Sequence, residues 1–108
     1  MKFPPSLSSS EPVIVRYRLP FGLNVDEPDS IGLCRCTKDG MGGERVGDIL
    51  RFTTYWRGSK PGLFDVVKNS RNWKGIIEAL VSNDRVVTDE IVLVFERPLP
   101  TEALPLTI

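Results

Sequence analysis

Residues 90–97 read Glu-Ile-Val-Leu-Val-Phe-Glu-Arg. Ile91, Leu93 and Phe95 alternate with Val92 and Val94, so an extended chain here is apolar on both faces. Such a strand has to be covered on both sides, and that fixes it as a central strand of a sheet. The chain has 108 residues, enough for one core of this kind. Halves of it would be too small to bury a useful core unaided.

The remaining elements arrange themselves around that strand. Val13, Val15, Tyr17 and Leu19 alternate with Arg16 and Arg18, which predicts a half-buried strand ended by Pro20. Phe21, Leu23 and Val25 resume the alternation as a second short strand, with a turn at Glu27–Ser30. Ile31 to Thr37 predicts a third strand, with Cys34 and Cys36 on one face and Leu33 and Arg35 on the other. Val46 to Trp56 is rich in β-branched and aromatic residues and predicts a fourth. Arg57 to Pro61, with Gly58 and Gly62, reads as a loop, and Phe64 to Lys68 as a short helical turn. Trp73, Ile76, Ile77, Leu80 and Val81 form one apolar stripe at helical spacing, predicting a helix over 72–81. Asn69 or Ser70 is expected to cap its start, and Asn83 to end it in a left-handed turn. The expected fold is α+β and mainly β: a curled antiparallel sheet of about five to six strands closed by one helix. Residues 13–97 form this domain. Residues 1–12, with Pro4-Pro5 and Ser8-Ser9-Ser10, read as a disordered lead-in, and 98–108, with Pro98, Pro100 and Pro105, as an extended tail.

Composition narrows the function by exclusion. Lys plus Arg and Asp plus Glu both number 14, so the formal charge is zero and the basic footprint of a nucleic-acid binder is missing. Histidine is absent, which removes His-based nucleophilic and zinc chemistry. Cys34 and Cys36 are too few for a disulfide framework or a tetrahedral zinc site, and their spacing would strain a disulfide between them. Asp48, Glu78, Asp89 and Glu90 are carboxylates with no spacing that pairs them. A binding module is expected rather than an enzyme, with no cofactor and no metal. No apolar run approaches the ~20 residues that cross a bilayer.

Three segments in order carry a resemblance. Pro20-Phe21-Gly22-Leu23-Asn24-Val25 is an apolar-Gly-apolar loop entering a strand. Glu44-Arg45-Val46-Gly47-Asp48-Ile49-Leu50 opens the fourth strand. The helix from Trp73 is followed by the Ile91–Phe95 strand and Glu96-Arg97. Together they resemble the PDZ domain family over nearly all of residues 13–97. The resemblance implies a protein-interaction module that binds C-terminal or extended peptides by strand addition beside the helix. It implies a carboxylate-binding loop at Phe21, Gly22 and Leu23, and a groove at Asn24, Val25, Trp73, Ile77 and Leu80. The chemistry is consistent, because successive backbone N–H groups in a glycine-containing turn grip a carboxylate without a cationic side chain. Pro20 has no N–H, so the donors begin at Phe21.

By the same resemblance Trp73 takes the first groove position of the helix. Family members with His there favour Ser or Thr two residues before the ligand's end. Indole only donates, so Trp73 implies an apolar ligand residue at that place and an apolar terminal residue. The ending Leu106-Thr107-Ile108 is of that kind and suggests weak head-to-tail association. Thr37 to Arg45 is too short and glycine-rich for the family's usual second helix, while Trp56 to Arg71 is long. That long segment is expected either to cover the groove mouth or to replace the missing packing. Glu90–Pro98 also resembles the PDZ-like domains of plant and algal thylakoid-associated proteins. That narrower resemblance implies a chloroplast scaffold or assembly factor. The alternative to peptide binding is a degenerate groove in a structural or regulatory part of a larger protein.

Overall fold

The computed structural model describes residues 3–100. The chain forms β1 (Ser10–Arg18), β2 (Ile49–Arg57), β3 (Lys60–Asp65), α1 (Trp73–Val81) and β4 (Glu90–Pro98). The sheet is antiparallel, with strand order β1-β4-β2-β3. β4 is an interior strand, as its two apolar faces require. Ile91, Leu93 and Phe95 point into the core together with Val15, Leu50, Val66 and the helix residues Ile76 and Leu80. No helix among the described residues is long and apolar enough to cross a membrane.

The other face of β4 is closed in a different way. Glu96 is fully buried there and is held by Arg51 Nη1 at 2.7 Å, Ser10 Oγ at 2.6 Å and the N–H groups of Ser6 and Leu7 at 2.9 Å each. Arg51 reaches it because it is the extra residue of a β-bulge: Leu50 faces Phe95 while Phe52 faces Val94. The Phe3 ring stacks on the Arg51 guanidinium at 4.4 Å and meets Phe52 edge-on. The lead-in expected over 1–12 is therefore largely docked from Phe3 onward, and β1 starts at Ser10 rather than Val13. A buried carboxylate needs donors, and the N-terminal segment supplies three of them. At the far end Leu99 N–H still bonds Ser9 O, at 3.0 Å.

The sheet has four strands, not five to six. The expected second and third strands shrink to isolated bridges, Val25 with Cys36 and Arg35 with Ile49. Asp29 is the cause in the third: its Oδ1 accepts from the N–H groups of both Ile31 and Leu33, at 3.0 Å. This local turn removes those groups from any ladder. Arg57 to Lys60 is no loop but a two-residue hairpin turn, with Gly58 at φ +60°. It opens β3, where a loop and a helical turn were expected. Pro61 is tolerated because β3 is an edge strand.

The helix begins one residue later than expected, and its cap is Asn72, whose Oδ1 accepts from Gly75 N–H at 3.0 Å. Asn69 and Ser70 belong instead to the turns before it. Among the described residues no residue other than glycine has positive φ, so Asn83 does not end the helix in a left-handed turn. It ends it by its side chain. Asn83 is buried, and its Nδ2 donates to Ala79 O and Leu80 O at 3.1 Å and to Thr54 O at 2.6 Å. Ser82 Oγ accepts from Trp56 N–H at 3.0 Å. Both residues bolt the end of α1 onto β2.

Candidate functional site

An apolar concavity lies between the Leu19–Leu23 loop and one face of α1. It has a volume of about 660 Å³. Leu19, Pro20, Phe21 and Leu23 form one wall, Ile77, Leu80 and Val81 the other, and Asn83, Asp84 and Arg85 close the end. Four of the residues singled out from the sequence, Phe21, Leu23, Ile77 and Leu80, thus meet across one groove. Gly22, Asn24 and Val25 continue the loop wall without lining the cavity itself. Trp73 shares the helical stripe of Ile77 and Leu80 but is packed, partly buried, against the core one turn from the cavity.

The loop wall presents an open main-chain edge. Asn24 O accepts from Thr37 N–H at 2.9 Å, and Asp26 N–H donates to Arg35 O at 2.9 Å. In an extended chain alternate residues point their N–H and C=O groups to opposite sides. Leu23 and Val25 therefore point theirs away from the Arg35–Thr37 segment. The N–H groups of Phe21, Gly22, Leu23 and Val25 have no main-chain partner among the described residues. Gly22 is exposed, and a Cβ added there would meet nothing within 4 Å, so the loop is bare where a ligand would approach.

The loop is held from behind. Phe21 stacks on Tyr17, with centroids 6.1 Å apart and planes at 23°. Tyr17 in turn donates its hydroxyl to the Glu44 carboxylate at 2.7 Å and accepts Gly42 N–H at 2.8 Å. Burial, reinforced by Glu44, raises the Tyr17 phenol above its ordinary pKa and keeps it a donor. The Leu19 carbonyl is gripped by Arg85 through Nε at 3.2 Å and Nη2 at 2.8 Å.

The Trp56–Arg71 segment leaves the groove open. It builds β3 and the turns after it, and borders a separate, polar concavity with Gly75, Glu78, Ala79 and Ser82 on the opposite face of α1. Gly47, at φ +92°, and Asp48 order the turn before β2: Asp48 Oδ2 accepts Arg45 N–H at 2.8 Å and pairs with Arg97 at 2.8 Å. Cys34 and Cys36 are free and buried. Burial pushes the Cys34 thiol up to about 12 and raises that of Cys36, so both stay protonated, donating to Asp26 O and Lys38 O. Leu106, Thr107 and Ile108, expected to support self-association, lie outside the described residues.

Sequence reasoning missed Asn83, Asp84 and Arg85 at this site. Asn83 was legible only as a helix-ending residue, and nothing in the sequence links Arg85 to Leu19, 66 positions away. Comparison with known protein families, curated proteins and solved structures returns no match.

Proposed function

We propose that the chain is a PDZ-like peptide-binding module that takes C-terminal or extended peptides into the groove by strand addition. The observation that carries this reading is the row of unpaired N–H groups at Phe21, Gly22, Leu23 and Val25 beside an open apolar groove. Free N–H donors in a glycine-containing turn suit a carboxylate, and the edge beyond them suits an extended backbone. Phe21, Leu23, Ile77, Leu80 and Val81 offer an apolar pocket for the ligand's terminal side chain. The module works without a cofactor, and its partners are protein or peptide chain ends rather than nucleic acid.

A second reading is a degenerate groove in a structural or regulatory part of a larger protein. One observation favours it: the Phe21–Val25 segment makes a single bridge, so the template for strand addition is short. The resemblance of Glu90–Pro98 to thylakoid-associated domains would give such a module a chloroplast setting. Titration of hexapeptides with apolar ends, followed by 15N NMR, separates the two. Peptide binding requires shifts concentrated at Phe21–Val25 and Ile77–Leu80. Their absence across an array of free-acid peptides favours the degenerate groove.

A further inference from the structure

Residues 3–9 lie on the outer face of the sheet as a ligand would. The site under them is built from two buried charges, Arg51 at 4% exposure and Glu96 at 0%. Glu96 stands roughly 20 Å along β4 from Glu90, whose neighbour Asp89 accepts Leu19 N–H at the groove wall. The site is therefore separate from the groove. The segment is held there by few ties, and most of them are main-chain. Ser6 and Leu7 give successive N–H groups to the two oxygens of Glu96, at 2.9 Å each. Any residue except proline supplies such a donor. The side-chain anchor is Phe3, whose ring lies 4.4 Å from the Arg51 guanidinium and meets Phe52 edge-on. Pro4 and Pro5 between these ties are exposed and fix an extended path. Residues 3–8 make no main-chain to main-chain hydrogen bond to the sheet among the described residues.

Nor does the segment saturate the site. Arg51 gives Nη1–H to Glu96, but its Nε is buried with no acceptor among the described residues. A buried donor in that state favours any occupant that brings it an oxygen. We propose that this face is a peptide-binding site distinct from the groove, and that residues 3–9 are its resident, displaceable occupant. Its ligand is an internal extended segment with an aromatic residue followed, three and four positions on, by two free N–H groups. The ligand's ring replaces Phe3 over Arg51, and its two N–H groups replace those of Ser6 and Leu7 on Glu96. Ser10 keeps its bond to Glu96 throughout, because it belongs to β1 and pairs with Pro98. The resident segment is an intramolecular competitor with an effective concentration on the order of mM, so the contact is autoinhibitory. The inference does not rest on the reading of the groove and survives its failure.

The test uses the full chain and the peptide Phe-Pro-Pro-Ser-Leu-Ser-Ser, acetylated and amidated, followed by 15N NMR. Two variants loosen the resident segment and leave the rest of the site intact: Phe3→Ala removes its ring, and Ser6→Pro removes one of its N–H groups. Each is expected to bind the peptide at least about tenfold more tightly than the wild type does, because the competitor is weakened. Shifts are expected at Arg51, Phe52 and Glu96, including the Arg51 Nε–H, and not at Phe21–Val25. On the loosened variants, a peptide N-methylated at its first Ser and its Leu, and one with Phe replaced by Ala, are each expected to lose about tenfold. The proposal is overturned if neither variant binds the peptide at about 5 mM, above the range of the tethered segment. It is equally overturned if the N-methylated peptide binds as the parent does, or if the shifts fall in the groove.

Discussion

Glu96 is the residue with the most at stake in the described structure. Burial alone would raise its carboxyl, but the Ser10 hydroxyl, the Ser6 and Leu7 N–H groups and Arg51 outweigh that and hold it below the ordinary carboxylate range. A depressed folded pKa stabilises the protein above the unfolded value, about 4.3, and that stabilisation disappears as pH falls through the folded value. The urea midpoint should therefore drop as pH falls below about 4. Glu96→Gln leaves Arg51 buried beside a neutral amide, and we expect a loss of about 3 kcal/mol at pH 7. The variant's midpoint should also lose the part of the acid dependence that belongs to Glu96. An unchanged midpoint at neutral pH would mean that the pair contributes nothing net.

Among the elements, α1 divides its surface into three. Ile76 and Leu80 enter the core, Ile77 and Val81 rim the groove, and Gly75, Glu78 and Ser82 face the β2–β3 hairpin. Ile77 is 38% exposed, so Ile77→Lys should change stability by less than about 1 kcal/mol while abolishing peptide binding in an equilibrium titration. If instead the variant binds as the wild type does, the groove is not the binding surface. Trp73 belongs to the same stripe one turn earlier. A peptide array should show no preference for Ser or Thr two residues before the ligand's end, since indole cannot accept their hydroxyl. A clear Ser or Thr preference in the wild type would contradict the role given to Trp73.

At the scale of the molecule, the chain closes on itself through its N-terminal segment. Ser6 and Leu7 donate to a carboxylate in the last strand, 90 and 89 positions away, and Phe3 covers the arginine that pairs with it. Removing residues 1–9 takes away two hydrogen bonds to a buried charge, each contributing about 1.5–3 kcal/mol. For a domain of this size the melting temperature should fall by more than about 10 °C, read by circular dichroism. A melting temperature within a few degrees of the wild type would show that the segment is an appendage after all.

The sequence by itself determined the interior strand, the half-buried first strand and the amphipathic helix. Each is a matter of local periodicity, which a single chain segment carries. The β3 hairpin was missed: Gly58-Ser59 between extended runs is a two-residue turn signal, but Pro61 and Gly62 made the segment read as a loop. Periodicity put Phe21, Leu23, Ile77 and Leu80 on apolar faces, and the family resemblance, not the period, implied that those faces line one groove. Only the tertiary structure decided that Asp29 dissolves the third strand into a turn, that Arg51 bulges to meet Glu96, and that Arg85 reaches the Leu19 carbonyl. The reason in the last two is the same: a buried charge or an unpaired carbonyl is satisfied by whichever group the fold brings near, and sequence distance does not enter that choice.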